Sequence, residues 1–254
     1  MRLLADHEGK ALFYCGDSRQ MDALPDGSVQ LIPTSPPYYN AMAYAQWPTY
    51  DAYLADMALV LAECWRVLCD GGRIAVNVPL GYGRPGNGGY RLIGDDWDRL
   101  IQTAGFEIRG HVIWDKGDAV TGTAWGSWCS PSNPSLRDNH EVIIVAHKGQ
   151  ANLPARGRRK TITETDFLES SRSIWRIPPV RHPWHPAPWP AEIARRLIQL
   201  YTYEGDTVLD CFSGSGTTAW EAMKAGRVGV GIDWSEEYVR QAAGPLFCTE
   251  PLPV

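Results

Sequence analysis

Thr34-Ser35-Pro36-Pro37-Tyr38-Tyr39-Asn40 is the stretch on which the reading of this chain turns. A short apolar run, Val29-Gln30-Leu31-Ile32, leads into it, and a long helical pattern follows. That order reads as a tight turn at the C-terminal end of a β-strand, the edge of an open α/β sheet at which ligands bind. Two consecutive prolines fix two φ angles and remove two N–H donors. What is left is a rigid arc of carbonyl acceptors beside the Ser35 hydroxyl, with the Tyr38 ring immediately after it. Such an arc can accept both hydrogens of an amino group, and the ring can stack on a flat heterocycle. A purely structural Pro-Pro turn accounts for the same residues, because short motifs also arise by chance.

A second stretch breaks the tie. Thr207-Val208-Leu209-Asp210 reads as a strand that runs through Cys211-Phe212-Ser213-Gly214-Ser215-Gly216-Thr217-Thr218 into a helix. Glycines between a strand and a helix let backbone come close to a ligand, as in nucleotide sites. No Gly-Lys-Ser/Thr follows, so this is not a phosphate loop. The two motifs in this order resemble the β-group amino-methyltransferases of DNA, in which Ser/Asp-Pro-Pro-Tyr precedes the Phe-x-Gly-x-Gly motif. The resemblance runs from about residue 11 to residue 243. It implies a Rossmann-like methyltransferase sheet with helices on both faces, a circularly permuted motif order and S-adenosyl-L-methionine as cofactor. It assigns Ser35, Pro36, Pro37 and Tyr38 to the base and Thr34, Asp210, Phe212, Ser213, Gly214, Gly216, Thr217 and Thr218 to the cofactor side.

Further candidates lie along the chain. Asp17 follows the strand Ala11-Leu12-Phe13-Tyr14; an acid there can accept from an adenine amino group, the role the family gives this position, or can cap a helix near Ser18 to Leu24. Asp233 ends the strand Val228 to Asp233, where an acid can take both ribose hydroxyls of a nucleoside. His185 and Pro186 open a helix whose free N–H groups can hold a carboxylate, and the family's His-Pro-x-x-x-Pro element supports the methionine end of the cofactor. Leu54, Met57, Ala58, Leu61, Trp65 and Leu68 mark a helix from about Asp51 to Leu68, stopped by Gly71-Gly72. Strands are expected at Arg73 to Val78, Phe106 to Trp114 and Glu141 to Ala146, with a helix over Asp95 to Ala104. Residues 41–50 and the glycine-rich 81–89 read as loops near the substrate, and Trp125, Trp128 and Arg137 fall in a loop the family places near the target base. The alternation argues for a parallel α/β sheet.

Composition narrows the class. The chain has 254 residues, 44% of them hydrophobic, enough for one α/β domain spanning 1–254 with a short target-recognition insert at about 149–183. Its acidic start and the lack of a long apolar run lead us to expect a cytoplasmic protein with no membrane segment. Six cysteines include no Cys-x-x-Cys pair, which argues against zinc, and no Pro-Cys dipeptide, the form that carries a C5-cytosine nucleophile. No metal is expected. The net charge is -5, yet residues 148–182 hold eight basic side chains against three acidic ones, a local +5 that leaves -10 elsewhere. Arg156, Arg158, Arg159 and Lys160 in that segment, with Arg137, read either as phosphate contacts or as a solvated basic loop.

The expected reaction is transfer of a methyl group to the exocyclic amine of a base flipped out of double-stranded DNA. Ser35 at the head of the motif, where many adenine enzymes carry Asp, favours cytosine N4 over adenine N6 by resemblance. RNA or a protein amide as substrate, or a DNA-binding module that has lost its chemistry, are the rival readings. The resemblance also admits a cognate restriction endonuclease as a second partner, and either a monomer or a homodimer.

Overall fold

The computed structural model describes residues 1–43, 45–84, 89–117, 126–136, 138–244 and 250–251. Nine strands form one mixed sheet. In chain order they are β1 (Arg2–His7), β2 (Ala11–Cys15), β3 (Val29–Thr34), β4 (Leu68–Val78), β7 (Glu107–Asp115), β8 (His140–His147), β9 (Ile174–Arg176), β11 (Thr207–Asp210) and β12 (Val228–Asp233). Their spatial order is β1-β2-β12-β11-β3-β4-β8-β7-β9. Two short antiparallel pairs lie outside it: β5 (Tyr82–Arg84) with β6 (Gly89–Arg91), and β10 (Val180–Arg181) with β13 (Glu250–Pro251).

The centre, β2-β12-β11-β3-β4, is parallel, as expected. The flanks are not. β8 runs antiparallel to both β4 and β7, and β1 is antiparallel to β2. Neither reversal was visible in the order of apolar runs, because strand direction is set by how the connections pack and not by the strand's own residues. The reversal of β8 carries Glu141, near its start, to the edge where β4 ends: Val78 pairs with Val142, and Trp114 near the end of β7 with Glu141.

Alternating side chains divide the core. Ile32, Ile74, Val76 and Ile144 face α1 (Tyr50–Val67) and α2 (Ile93–Thr103). Leu31, Ala75, Ile143, Val145 and Val208 face α4 (Ala191–Tyr201), which packs beside α5 (Thr217–Lys224). This is the period-two pattern of strands covered on both faces. Among the described residues there are two shorter helices, α3 (Glu164–Ser170) and α6 (Glu236–Ala242).

Three local expectations change. Helix α1 stops at Val67 and not at the glycines: Leu68 turns extended (φ -74°, ψ 134°) and enters β4 at once. The freed carbonyls of Trp65 and Leu68 accept from Lys148 Nζ at 2.6 and 2.7 Å, an end satisfied by a side chain remote in sequence. No helix forms over Ser18 to Leu24; the carbonyls of Met21 and Leu24 accept from Arg66, and the Met21 N–H donates to Glu63. Pro33 stays inside β3, tolerated because the recorded pairing with β11 is confined to Leu31 opposite Val208. Among the described residues no helix is long and apolar enough to cross a membrane.

Candidate active site

β3 and β11 are neighbours although Thr34 and Thr207 are 173 positions apart in the chain. The chain leaves β3 toward β4 on one side and leaves β11 toward β12 on the other. That is the switch point of an open sheet, where a crevice forms beyond the strand ends. A cavity of about 590 Å3 lies there, lined by both loops, Ser35 to Tyr38 and Asp210 to Ser215, and by residues from β4, β7, β8 and the His185 segment. Ala41, Met42, Gln46 and Trp47, from the aromatic stretch after the first loop, complete the wall.

Asp210 ties the two loops together from beneath. Its Oδ1 accepts from Thr34 Oγ1 at 2.7 Å and from the Phe212 N–H at 3.1 Å; its Oδ2 accepts from Thr218 Oγ1 at 2.8 Å. Burial still pushes this carboxyl up to about 6. Thr34 and Thr218 are fully engaged in this cluster and do not line the cavity; neither do Gly216 and Thr217. Gly216 caps α5 in the left-handed region (φ 78°), with Phe13 and Ala242 where a Cβ would go, and Thr217 Oγ1 pairs with Ser215 Oγ at 3.0 Å. These four stand behind the lining: Thr34 and Thr218 brace Asp210, and Gly216 and Thr217 start the helix after the cavity-lining residues Phe212, Ser213 and Gly214.

The lining side of that loop is a cradle. Gly214 has φ 46°, and a Cβ on it would lie 2.5 Å from His185 Nε2. Ser213 Oγ is buried with no hydrogen-bond partner among the described residues. Asp233 sits opposite, its Oδ2 accepting from the Gly214 N–H at 3.0 Å and its Oδ1 from the Ser235 N–H at 2.9 Å. One lone pair on each oxygen is left for a ligand's hydroxyls. Burial raises the pKa of Asp233, so bonds to its charged form are at a premium. Trp234, next in sequence and 69% exposed, also lines the cavity. His185 lines the cavity with Pro186; burial, with His182 nearby, holds its imidazole down to about 4, so it is neutral at physiological pH.

Asp17 also lines the cavity but is not a free acceptor. Arg19 forks onto it, Nη2 to Oδ2 at 2.7 Å and Nε to Oδ1 at 3.1 Å, and also reaches Asp56 at 2.7 Å. The Arg19 hydrogen bond lowers the pKa of Asp17. Sequence spacing located the acid but missed this clamp.

The base side holds residues that no motif marked. Ser35 Oγ lies 3.4 Å from Tyr38 Oη and 3.3 Å from the Asn77 carbonyl. The Tyr38 hydroxyl donates to Glu141 Oε2 at 2.8 Å. Asn77 Nδ2 donates to the same Oε2 at 2.5 Å and to Tyr38 Oη at 3.0 Å, and Lys116 Nζ holds Glu141 Oε1. Asn77 Oδ1 is buried without a hydrogen-bond partner among the described residues. The available signals were faint: a lone amide inside the apolar run Arg73 to Val78, and an acid at the head of another.

The basic segment lies elsewhere. Arg158 pairs with the buried Asp206 and Arg159 with Glu204 (2.5 Å), both in the turn before β11, at the sheet edge opposite the cavity. In this structure Arg158 and Arg159 are paired with acids of that turn, on the side of the sheet away from the cavity. Arg156 and Lys160 are exposed beside them. Arg176 and Arg181, of the same segment, are exposed near the cavity, Arg176 on the end of β7 through Asp115 and Arg181 next to the lining residue Val180. Trp125, Arg137 and residues 85–88 of the glycine-rich loop lie outside the described residues; Trp128 is exposed. Among the described residues no group of His, Cys, Asp or Glu could hold a metal ion.

A sequence profile for DNA methylase matches residues 29–244, most of the chain and both loops of the cavity. The chain belongs to the DNA methylase family. It is 30% identical over 260 residues to the type II beta methyltransferase M.BslI of Bacillus sp. (strain NEB-606), covering 91% of this chain but spanning only 27% of that relative's length. TTHA0409 of Thermus thermophilus, solved with S-adenosyl-L-methionine, is 29% identical with a TM-score of 0.72 over 90% of this chain and 89% of its own. The PvuII cytosine-N4-specific DNA methyltransferase shares the fold, with a TM-score of 0.73 at 20% identity over 92% of this chain and 85% of its own. In a methylase of this family the methyl donor is S-adenosyl-L-methionine, and the residues here suit it: a glycine cradle closed by His185, an orphaned serine hydroxyl and a partly satisfied aspartate.

Proposed function

We propose that this protein methylates the exocyclic N4 of cytosine in double-stranded DNA, on a base turned out of the duplex. The observation that carries the reading is one cavity lined by both the Asp210-to-Ser215 loop and Ser35 at the head of a buried polar network. Asp233, Ser213, Gly214, His185 and Pro186 would hold the cofactor, which when bound supplies a methyl group on a positively charged sulfur. The amine is a poor nucleophile because its lone pair is delocalised into the ring. Ser35 Oγ and the Pro36 carbonyl accept its two hydrogens, drawing the nitrogen toward tetrahedral geometry and returning the lone pair to it. Pro37 keeps the arc rigid and Tyr38 offers a ring face to the base. Holding amine and donor together in one orientation supplies much of the barrier reduction.

Adenine N6 would meet the same geometry. The serine at position 35, and the resemblance it carries to cytosine-N4 enzymes, favour cytosine. Digestion of methylated DNA to nucleosides and mass spectrometry decides: N4-methylcytosine is expected, and N6-methyladenine as the product would overturn the base while leaving the site intact. We assign the target-recognition role to the insert at about 149–183, with Arg176 and Arg181 as its cavity-side cations. The chain would act on DNA in the cytoplasm as a single catalytic domain, alone or with a cognate restriction endonuclease, as monomer or homodimer.

A further inference from the structure

Ser35 gives the motif a neutral acceptor, and a hydrogen bond to a neutral oxygen is roughly half as strong as one to a carboxylate. The structure places a carboxylate one hydroxyl away. Tyr38 has a single proton, and at 2.8 Å that proton belongs to Glu141 Oε2. The Tyr38 oxygen is then an acceptor only, and what faces it is Asn77 Nδ2 at 3.0 Å and Ser35 Oγ at 3.4 Å. The Asn77 amide donates to its two nearest acceptors, Glu141 Oε2 and Tyr38 Oη, and Ser35 Oγ is a longer third acceptor at 3.4 Å. Lys116 fixes the other Glu141 oxygen while its Nζ lies 4.6 Å from the centre of the Trp114 ring. The Glu141 and Lys116 side chains are only 12% and 19% exposed, so the pair is screened little by water.

The orientation that follows runs one way. The Ser35 proton points into the protein, to Tyr38 Oη or the Asn77 carbonyl, and the Tyr38 proton points to Glu141. Even with Asn77 Nδ2 at 3.4 Å from Ser35 Oγ, a Ser35 lone pair is left for whatever enters the cavity. In a chain of this kind each bond polarises the next. We propose that Glu141 is a positioning residue for amine methylation: acting through Tyr38, it fixes the Ser35 hydroxyl as an acceptor and lends it part of the strength of a carboxylate. The inference rests on the reading that Ser35 receives the amine, and it holds for either base. Burial keeps Tyr38 protonated far above its ordinary range, so it stays a donor to Glu141.

The test is single-turnover methyl transfer from labelled S-adenosyl-L-methionine to duplex DNA. Glu141→Gln should slow transfer by roughly 10- to 100-fold, the range for loss of one charged hydrogen-bond partner, while cofactor affinity stays within about twofold. Tyr38→Phe should lose a similar factor. The double variant should be no slower than the worse single one, because both cut the same chain. Ser35→Asp places the charge at the head directly, so adding Glu141→Gln to it should cost less than about twofold. A Glu141→Gln rate equal to the unmodified enzyme, multiplied losses in the double variant, or an undiminished loss in the Ser35→Asp background would each overturn the proposal. If Ser35→Asp does not turn over, the double-variant comparison decides alone. The methylated nucleoside is identified in the same digests, so a wrong base shows as a different product and a wrong role for Glu141 as an unchanged rate.

Discussion

Asp210→Asn should alter how the fold responds to pH more than it alters the fold. The native carboxylate is buried at the end of β11, and three hydrogen bonds from Thr34, Thr218 and the Phe212 N–H do not fully offset its loss of water. Its pKa is raised from 3.8 to about 6. The ionised form is therefore disfavoured in the fold by about 3 kcal/mol at neutral pH. The folded value lies above the unfolded one, so the contribution of Asp210 to stability is fully present below about 3.8 and is lost as pH rises through about 6. His185 acts in the opposite sense. Its pKa is depressed from 6.5 to about 4, so its contribution is present above 6.5 and is lost as pH falls through about 4. That contribution is at most about 3 kcal/mol, because the ring keeps part of its surface in water. Between these values the two slopes oppose each other and flatten the profile of the unmodified protein. Asparagine keeps the shape and one acceptor but cannot ionise. In urea denaturation without cofactor, Asp210→Asn should gain about 3 kcal/mol on the parent between about pH 4 and about pH 7.5. Its own stability should then rise with pH as the uncompensated His185 slope appears. A difference between the two proteins that is the same at both ends of that range would refute the reasoning.

Asp233→Ala should weaken S-adenosyl-L-methionine binding by about 2–3 kcal/mol, the value of a pair of hydrogen bonds to a charged group; equal affinity by calorimetry would place the ribose elsewhere. Ser35→Ala should abolish most turnover and leave cofactor affinity nearly intact, since Ser35 stands on the base side; a matching loss of affinity would move the motif into the cofactor pocket. Arg158→Ala strands the Asp206 carboxylate, whose side chain is 0% exposed, and should cost about 3 kcal/mol of stability in denaturation. The same variant should leave the salt dependence of DNA binding unchanged, whereas loss of a phosphate contact would lower the slope by about 0.9.

The strands that carry chemistry were legible because local pattern decides them: apolar runs of four to six residues such as Val29 to Thr34 and Thr207 to Asp210, each followed within a few residues by prolines or glycines. The glycines announced a close approach of backbone, and Gly214 against His185 shows it. The residues with assigned roles in that loop separated only in space. Thr34 and Thr218 resemble ligand contacts in sequence, yet both hydroxyls are spent on Asp210. Arg158 and Arg159 resemble phosphate contacts, yet their partners, Asp206 and Glu204, lie more than forty residues away in the chain.

By itself the sequence determined that a strand ends at Ser35-Pro36-Pro37-Tyr38, that another ends at a glycine loop, and that the two belong to an α/β sheet, because periodicity, proline and glycine act over a few residues. Only the tertiary structure decided that β3 lies beside β11, that β8 is reversed, and that Asn77, Lys116 and Glu141 converge on Tyr38. Those three residues come from β4, the segment after β7, and β8. Their convergence depends on strand order and direction, which are fixed by the burial of two sheet faces at once, and no window of neighbouring residues contains that information.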